Sequence, residues 1–183
     1  MWPGGVSSRP MWTRIPFDES HLPRVADFDC GSKPYQTEVS DWIKSRDGVL
    51  RDMADFGTSV WLYEADNGDV IGFTSLGLHT WDLPDPVTNK KAKTGVQIIP
   101  NWAIHKTYKW KPTDPPEAPR YALLVFNDLL QIAHERMTKD GAPSIVGLLV
   151  HGDNTRAIEL YEEAGFVQLS RNARGYVRMR ADF

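Results

Sequence analysis

Apolar and polar residues alternate along this chain in two rhythms, and together they lay out an order of elements. Thr58-Ser-Val-Trp-Leu-Tyr-Glu64 is rich in β-formers, and Asn67-Gly68 behind it is a strong short hairpin signal, so 58–64 and 70–78 are predicted to pair. Residues 95–105 read as a further strand, with Pro100 interrupting it and predicting a bulge or splayed edge. From Arg120 to Lys139 the spacing turns helical, with Ala122, Phe126, Leu129, Leu130, Ala133 and Met137 on one side. An apolar strand at 144–150, a helix ending before Gly165, and strands near 166–169 and 175–180 complete the second half. In the first half, Met11–Phe17 reads as a strand, Asp18–Ala26 is ambiguous, Phe28–Gly31 is a turn, and Pro34–Lys44 and Asp47–Asp55 are helical. Polar, Pro- and Lys-rich loops are predicted at about 80–94 and 109–119, and residues 1–10 read as a flexible tail. The order predicts one α/β domain over 11–183, a mixed twisted sheet with helices on both faces.

Composition narrows the class. Hydrophobic residues make up 41% and charged residues 25% of 183, which excludes a disordered chain. A net charge of −3 argues against a general nucleic-acid binder. Cys30 stands alone and fits a reducing compartment, the start lacks a signal-peptide layout, and no apolar run is long enough to span a bilayer, so a cytoplasmic protein is expected. His21, His79, His105, His134 and His151 lie too far apart for a zinc pairing, so no metal is expected, and no P-loop or dinucleotide glycine fingerprint occurs.

The most informative stretch is Val150–Phe166. Gly152-Asp153-Asn154 breaks the strand, and Asp153 or Asn154 is placed to cap the helix that follows. Helical spacing puts Asn154, Ile158 and Tyr161 on one face with Ala157 beside them. Asn154, Ala157, Tyr161, Gly165 and Phe166 resemble the second half of the GNAT family, the acyl-CoA-dependent N-acyltransferases, and the element order over about 11–180 is similar to that fold.

That resemblance implies a site. The strand at 96–104 would run parallel to 144–150 and splay from it, with the cofactor arm pairing to the backbone of Trp102, Ala103 and Ile104. Acetyl-CoA would be the co-substrate, and Tyr161 would protonate the leaving thiolate while Asn154 holds the arm or a water. The acceptor would be an amine on a small molecule or peptide; a homodimer is also possible within the family. Where the family has a glycine-rich pyrophosphate turn, this chain has Trp110–Pro119, loaded with prolines that lack N–H donors. Either Lys109, Lys111 and Arg120, with the first-turn amides at Arg120 and Tyr121, hold CoA instead, or CoA chemistry has been lost and the fold is a binding or regulatory module. Lys90, Lys91, Lys93, Lys106, Lys109 and Lys111, with no acidic residue among positions 87–113, favour an anionic ligand. His79 is the positional candidate for the general base, with Asp82, His105 and water as alternatives. Phe28-Asp-Cys-Gly31 followed by Trp42-Ile43 resembles the opening of GNAT-type toxins of toxin–antitoxin pairs, which acetylate aminoacyl-tRNA. The leucine expected between those points is absent and the acidic balance fits tRNA poorly, so neither tRNA nor an antitoxin is the expected partner.

Overall fold

A computed structural model describes residues 12–84, 88–109 and 120–183. The tail at 1–10 and most of the proline-rich loop, Lys111 included, lie outside the described residues.

The first strand, β1, is short, Thr13–Pro16. The ambiguous segment becomes a 3-10 turn, Glu19–Val25, started by Asp18, whose side chain accepts from the Ser20 amide. Helix α1 spans Pro34–Lys44 with proline at its first position, where its missing N–H costs nothing. A π turn, Arg46–Leu50, leads into α2, Arg51–Phe56, closed by Gly57 in the left-handed conformation. Strands β2, Ser59–Glu64, and β3, Val70–Pro84, form the expected hairpin, but β3 runs six residues past the predicted end at Leu78. Its partner β4 starts early, at Lys91, and reaches Ile99. The segment predicted as a loop therefore pairs, Trp81 with Thr94 and Leu83 with Ala92, because Trp81 and Leu83 bury alternate side chains.

Beyond the bulge lies β5, Trp102–Ile104, and then α3, Tyr121–Asp140, β6, Ile145–His151, α4, Thr155–Glu163, β7, Val167–Arg171, and β8, Tyr176–Asp182. Among the described residues the sheet has eight strands in the order β1-β2-β3-β4-β6-β8-β7, with β5 paired to β3 off that path. β4 and β6 are the parallel pair; the other pairs are antiparallel.

The break at Pro100 fixes the site. β3 acts as one long ruler: its Gly77–Pro84 half pairs with β4 and its Gly72–Thr74 half with β5. At the break, the Ser75 hydroxyl donates to Asn101 O and accepts from Asn101 N–H at 3.0 Å, replacing the ladder bonds that proline interrupts. β4 joins β6 only through Gln97–Ile99 against Val146–Leu148. After that β6 continues to His151 along β8, β5 continues along β3, and the two diverge.

The core divides accordingly. Helices α3 and α4 bury Phe126, Leu129, Leu148, Met179 and Phe166 on one face, while α1 and the turns flanking it bury Phe73, Leu62, Ile43 and Phe28. Helix α1 also reaches across the divergence: Tyr35 stacks on His151 at 5.1 Å, and Tyr176 donates to Glu38 at 2.8 Å.

Candidate active site

The diverging strands bound an open groove of ≈ 870 Å³, within the size that takes an elongated small-molecule ligand. β5 forms one wall, α4 the other, and α1 and the start of α3 form the rims. The strand wall is ready to pair. His105 N–H bonds to Ile71 O at 2.7 Å, and in the same antiparallel register Ala103 lies opposite Phe73. Antiparallel bonding alternates, so Ala103 spends its backbone groups on Phe73 and Trp102 and Ile104 turn theirs away from β3, towards the groove. An amide-bearing arm would find two residues of free strand edge there, not three.

Tyr161 closes the floor. It is only 5% exposed, and its ring is fixed between Phe126 at 5.1 Å and Phe166 at 5.9 Å. Its oxygen accepts from Trp102 Nε1 at 2.7 Å, a bond between β5 and α4 that crosses the foot of the divergence. Burial pushes the phenol's pKa well above its ordinary value, against a smaller lowering by the Trp102 hydrogen bond, so the hydroxyl keeps its proton at neutral pH. Helix α4 reaches it because Gly165, at φ 91°, lets the chain turn back while the Phe166 and Gly165 amides bond to Tyr161 O and Glu162 O.

Trp102, Ala103, Ile104, Lys109, Arg120, Asn154 and Tyr161 all line this groove. Asn154 sits at the N-cap position of α4, but no side-chain hydrogen bond caps the helix, so the capping expected of Asp153 or Asn154 is not made and the amide faces the groove. Tyr121 is buried instead against Tyr108 and Val125, which leaves it only its backbone to offer. Leu123 and Leu124 make the first intrahelical bonds of α3, to Arg120 O, and the Arg120 side chain makes no cap bond, so the Tyr121 and Ala122 amides precede the ladder.

His79 is not brought to the groove. It is exposed on β3 opposite Val96, five residues, or roughly 17 Å of strand, beyond the Thr74–Trp102 pair. Asp82 is further still, paired across the hairpin with Lys93. His105 lies in a separate small cleft beside Phe28, where burial depresses its pKa. The lysine run also scatters. Lys90, Lys91 and Lys93 are exposed at the far end of the β3–β4 hairpin, and Lys106 pairs with Asp29 at 2.6 Å. Only Lys109 of the described lysines in that run lines the groove; its ammonium donates to Cys30 O, and desolvation lowers its pKa.

Sequence reasoning missed the α1 rim: Lys33, Tyr35, Gln36 and Val39 line the groove. The helical face of Tyr35 and Val39 was visible as periodicity, but nothing local says that it packs over residues more than sixty positions away. Asp153, in the turn before α4, and Glu159 and Glu163 on α4 are the carboxylates of the lining, all at exposed positions.

A sheet parted after a three-residue parallel seam, with a helix carrying Asn154 and Tyr161 along the gap, is the GNAT fold, the fold of acyl-CoA-dependent N-acetyltransferases. Solved structures that share it include the following three. A bacterial toxin superposes with a TM-score of 0.66 at 18% identity over 95% of this chain and 92% of its own. PaiA N-acetyltransferase from Thermoplasma acidophilum, in complex with coenzyme A, gives 0.63 at 14% identity over 94% and 99%. AtaT, complexed with acetyl-methionyl-tRNAfMet, gives 0.62 at 14% identity over 91% and 93%. No protein-family model matches the sequence, and no curated protein matches it. Among the described residues no helix is long and apolar enough to cross a membrane, and no cluster of three metal-ligating side chains occurs.

Proposed function

We propose that the protein is an N-acyltransferase that moves an acetyl group from acetyl-CoA to an amine, in the cytoplasm. The observation that carries this reading is the buried Tyr161 hydroxyl, held protonated at the floor of a groove whose opposite wall offers unpaired strand edge. The residues present fit the donor. Trp102 and Ile104 would offer backbone groups to its amide-bearing arm, Asn154 a side-chain amide, and the Tyr121 and Ala122 amides with Lys109 and Arg120 would hold its phosphate end.

Bound acetyl-CoA supplies the acetyl group as a thioester. The neutral amine nitrogen forms the C–N bond as the C–S bond breaks, Tyr161 gives its proton to the departing sulfur, and the attacking nitrogen loses its proton to water. Water takes the base's place because β5 carries no carboxylate, His79 stands apart, and Asp153, Glu159 and Glu163 of the lining are solvent-exposed rather than buried beside Tyr161. The acceptor has room between α1 and α4, where Tyr35 and the carboxylates of α4 face the groove.

The resemblance to the toxin structures supports a narrower acceptor, the amine of an aminoacyl-tRNA, with an antitoxin as partner. Within the Phe28–Gly31 turn that carries the sequence resemblance, Gly31 adopts φ 132°, and the Gln36 side chain fills the space that a Cβ there would need, which accounts for the glycine and not for the acceptor.

Calorimetric titration with acetyl-CoA tests the donor, and acetyl transfer to spermidine, a peptide α-amine and methionyl-tRNA tests the acceptor. Tyr161→Phe is expected to slow turnover about a hundredfold with acetyl-CoA affinity unchanged. Absence of heat and of any thermal shift with millimolar acetyl-CoA would overturn the proposal.

A further inference from the structure

The Trp102 indole packs against Phe126 and Tyr161, as any aromatic ring could, but its N–H does something a phenyl ring cannot. Indole nitrogen is donor only, so in the 2.7 Å contact the Tyr161 oxygen must be the acceptor. That fixes the phenol's own hydrogen to a different direction. Among the described residues the Tyr161 hydroxyl makes one hydrogen bond, as acceptor from Trp102, and donates to none, although the side chain is almost wholly buried and lines the groove. A buried hydroxyl usually finds a partner for its hydrogen; here the direction left open is the groove itself.

We propose that Trp102 is a positioning residue for Tyr161: its indole N–H holds the phenol oxygen from across the gap, aims the phenol's proton into the groove, and remains bonded to the phenolate left after that proton is given up. The proposal rests on the acyltransfer reading above. In that step the C–S bond breaks, sulfur takes the Tyr161 proton, and the oxygen keeps the electron pair; solvent returns the proton after the thiol departs. The indole bond strengthens as the oxygen becomes charged, because charge-assisted hydrogen bonds are about twice as strong as neutral ones. It therefore favours the proton transfer over the resting state. The placement depends on the break before β5: Ser75 pins Asn101, and the next residue is Trp102.

Two measurements test it. The first needs no ligand. In protein labelled with ¹⁵N-tryptophan, the indole signal lost in Trp102→Phe identifies Trp102 among the chain's seven tryptophans. Tyr161→Phe is expected to move that signal upfield and speed its exchange with solvent; an unmoved signal overturns the bond. The second is a double-mutant cycle on acetyl-CoA turnover, read as free thiol released, with spermidine and with water alone. Trp102→Phe is expected to lower kcat roughly ten- to a hundredfold with KM for acetyl-CoA unchanged, and to have no further effect in a Tyr161→Phe background. Equal losses in both backgrounds show a packing role and overturn the proposal. If Trp102→Phe does not fold, β-(3-benzothienyl)alanine at position 102 keeps the shape and removes only the N–H, and the same outcomes apply. Wild-type protein that releases no thiol at all retires the acyltransfer reading itself, and this inference with it.

Discussion

Gly147→Ala should destabilise the protein measurably, although it adds one methyl group. Gly147 lies on β6 opposite Ile98, inside the three-residue seam to β4. A Cβ built there would stand 2.3 Å from Trp81 Cη2 and 2.6 Å from Cζ3. Ordinary carbon contact needs about 3.5 Å, so the ring must retreat by about 1 Å. It has little freedom to do so: Trp81 is 5% exposed, shares its cluster with Leu83 and Val96, and carries the Arg178 guanidinium 4.7 Å above the ring. Overpacking of this kind costs about 1–3 kcal/mol, and the rigid surroundings put the expectation near 2. For a chain of this length that is a fall in Tm of about 4–8 °C. Urea unfolding followed by far-UV circular dichroism gives the free energy. The three atoms that a Cβ would meet are all on the outer edge of the six-membered ring, which Trp81→Phe removes. The double variant Gly147→Ala/Trp81→Phe should therefore be more stable than the sum of the single effects allows. A loss below about 0.5 kcal/mol, or strictly additive effects, would refute the packing argument.

Three further outcomes are expected. Gly72→Ala places a Cβ 2.4 Å from Ala103 O, so it should push β5 off β3 and weaken acetyl-CoA binding by calorimetry more than it lowers Tm. His105 has a folded pKa depressed by burial, so its contribution is present above its ordinary value of 6.5 and lost as the pH falls below it; stability measured against pH should fall less steeply there in His105→Gln. The Cys30 thiol is buried and its pKa raised by desolvation, with Sγ against Ser40 and Gln36 O, so iodoacetamide at pH 8 should label it at least about a hundredfold more slowly in native than in unfolded protein, as mass spectrometry would show.

Local signals carried much of the fold. Pro34 at the first position and the Tyr35–Val39–Trp42–Ile43 spacing mark α1, and Gly165 marks the end of α4 through the left-handed turn it alone takes cheaply. The break between β4 and β5 was legible because Pro100 cannot hold a ladder bond, whereas the parallel seam and its divergence were implied by the resemblance to the GNAT family. The extension of β3 was hidden among His79, Thr80, Asp82 and Pro84, where only two apolar side chains, Trp81 and Leu83, carry the period of two. The α4 side of the groove was readable from Asn154, Ala157 and Tyr161, but the Trp102–Tyr161 bond joins residues 59 apart, and no local rule reaches that far. The apparent lysine cluster misled for the opposite reason: neighbours in sequence sit at opposite ends of a strand, so a charge count along the chain overstates what one ligand would feel.

The short join between β4 and β6 gives the molecule a crease. On one side lie the sheet's first strands and α1; on the other, β6, β8 and α4; backbone bonding across the crease stops at Ile99 and Leu148. Whatever lies in the groove and touches both lips adds stitches where the protein has fewest. Filling the groove should therefore stiffen the whole molecule, and the amides beside the crease would register it first as slower exchange with heavy water.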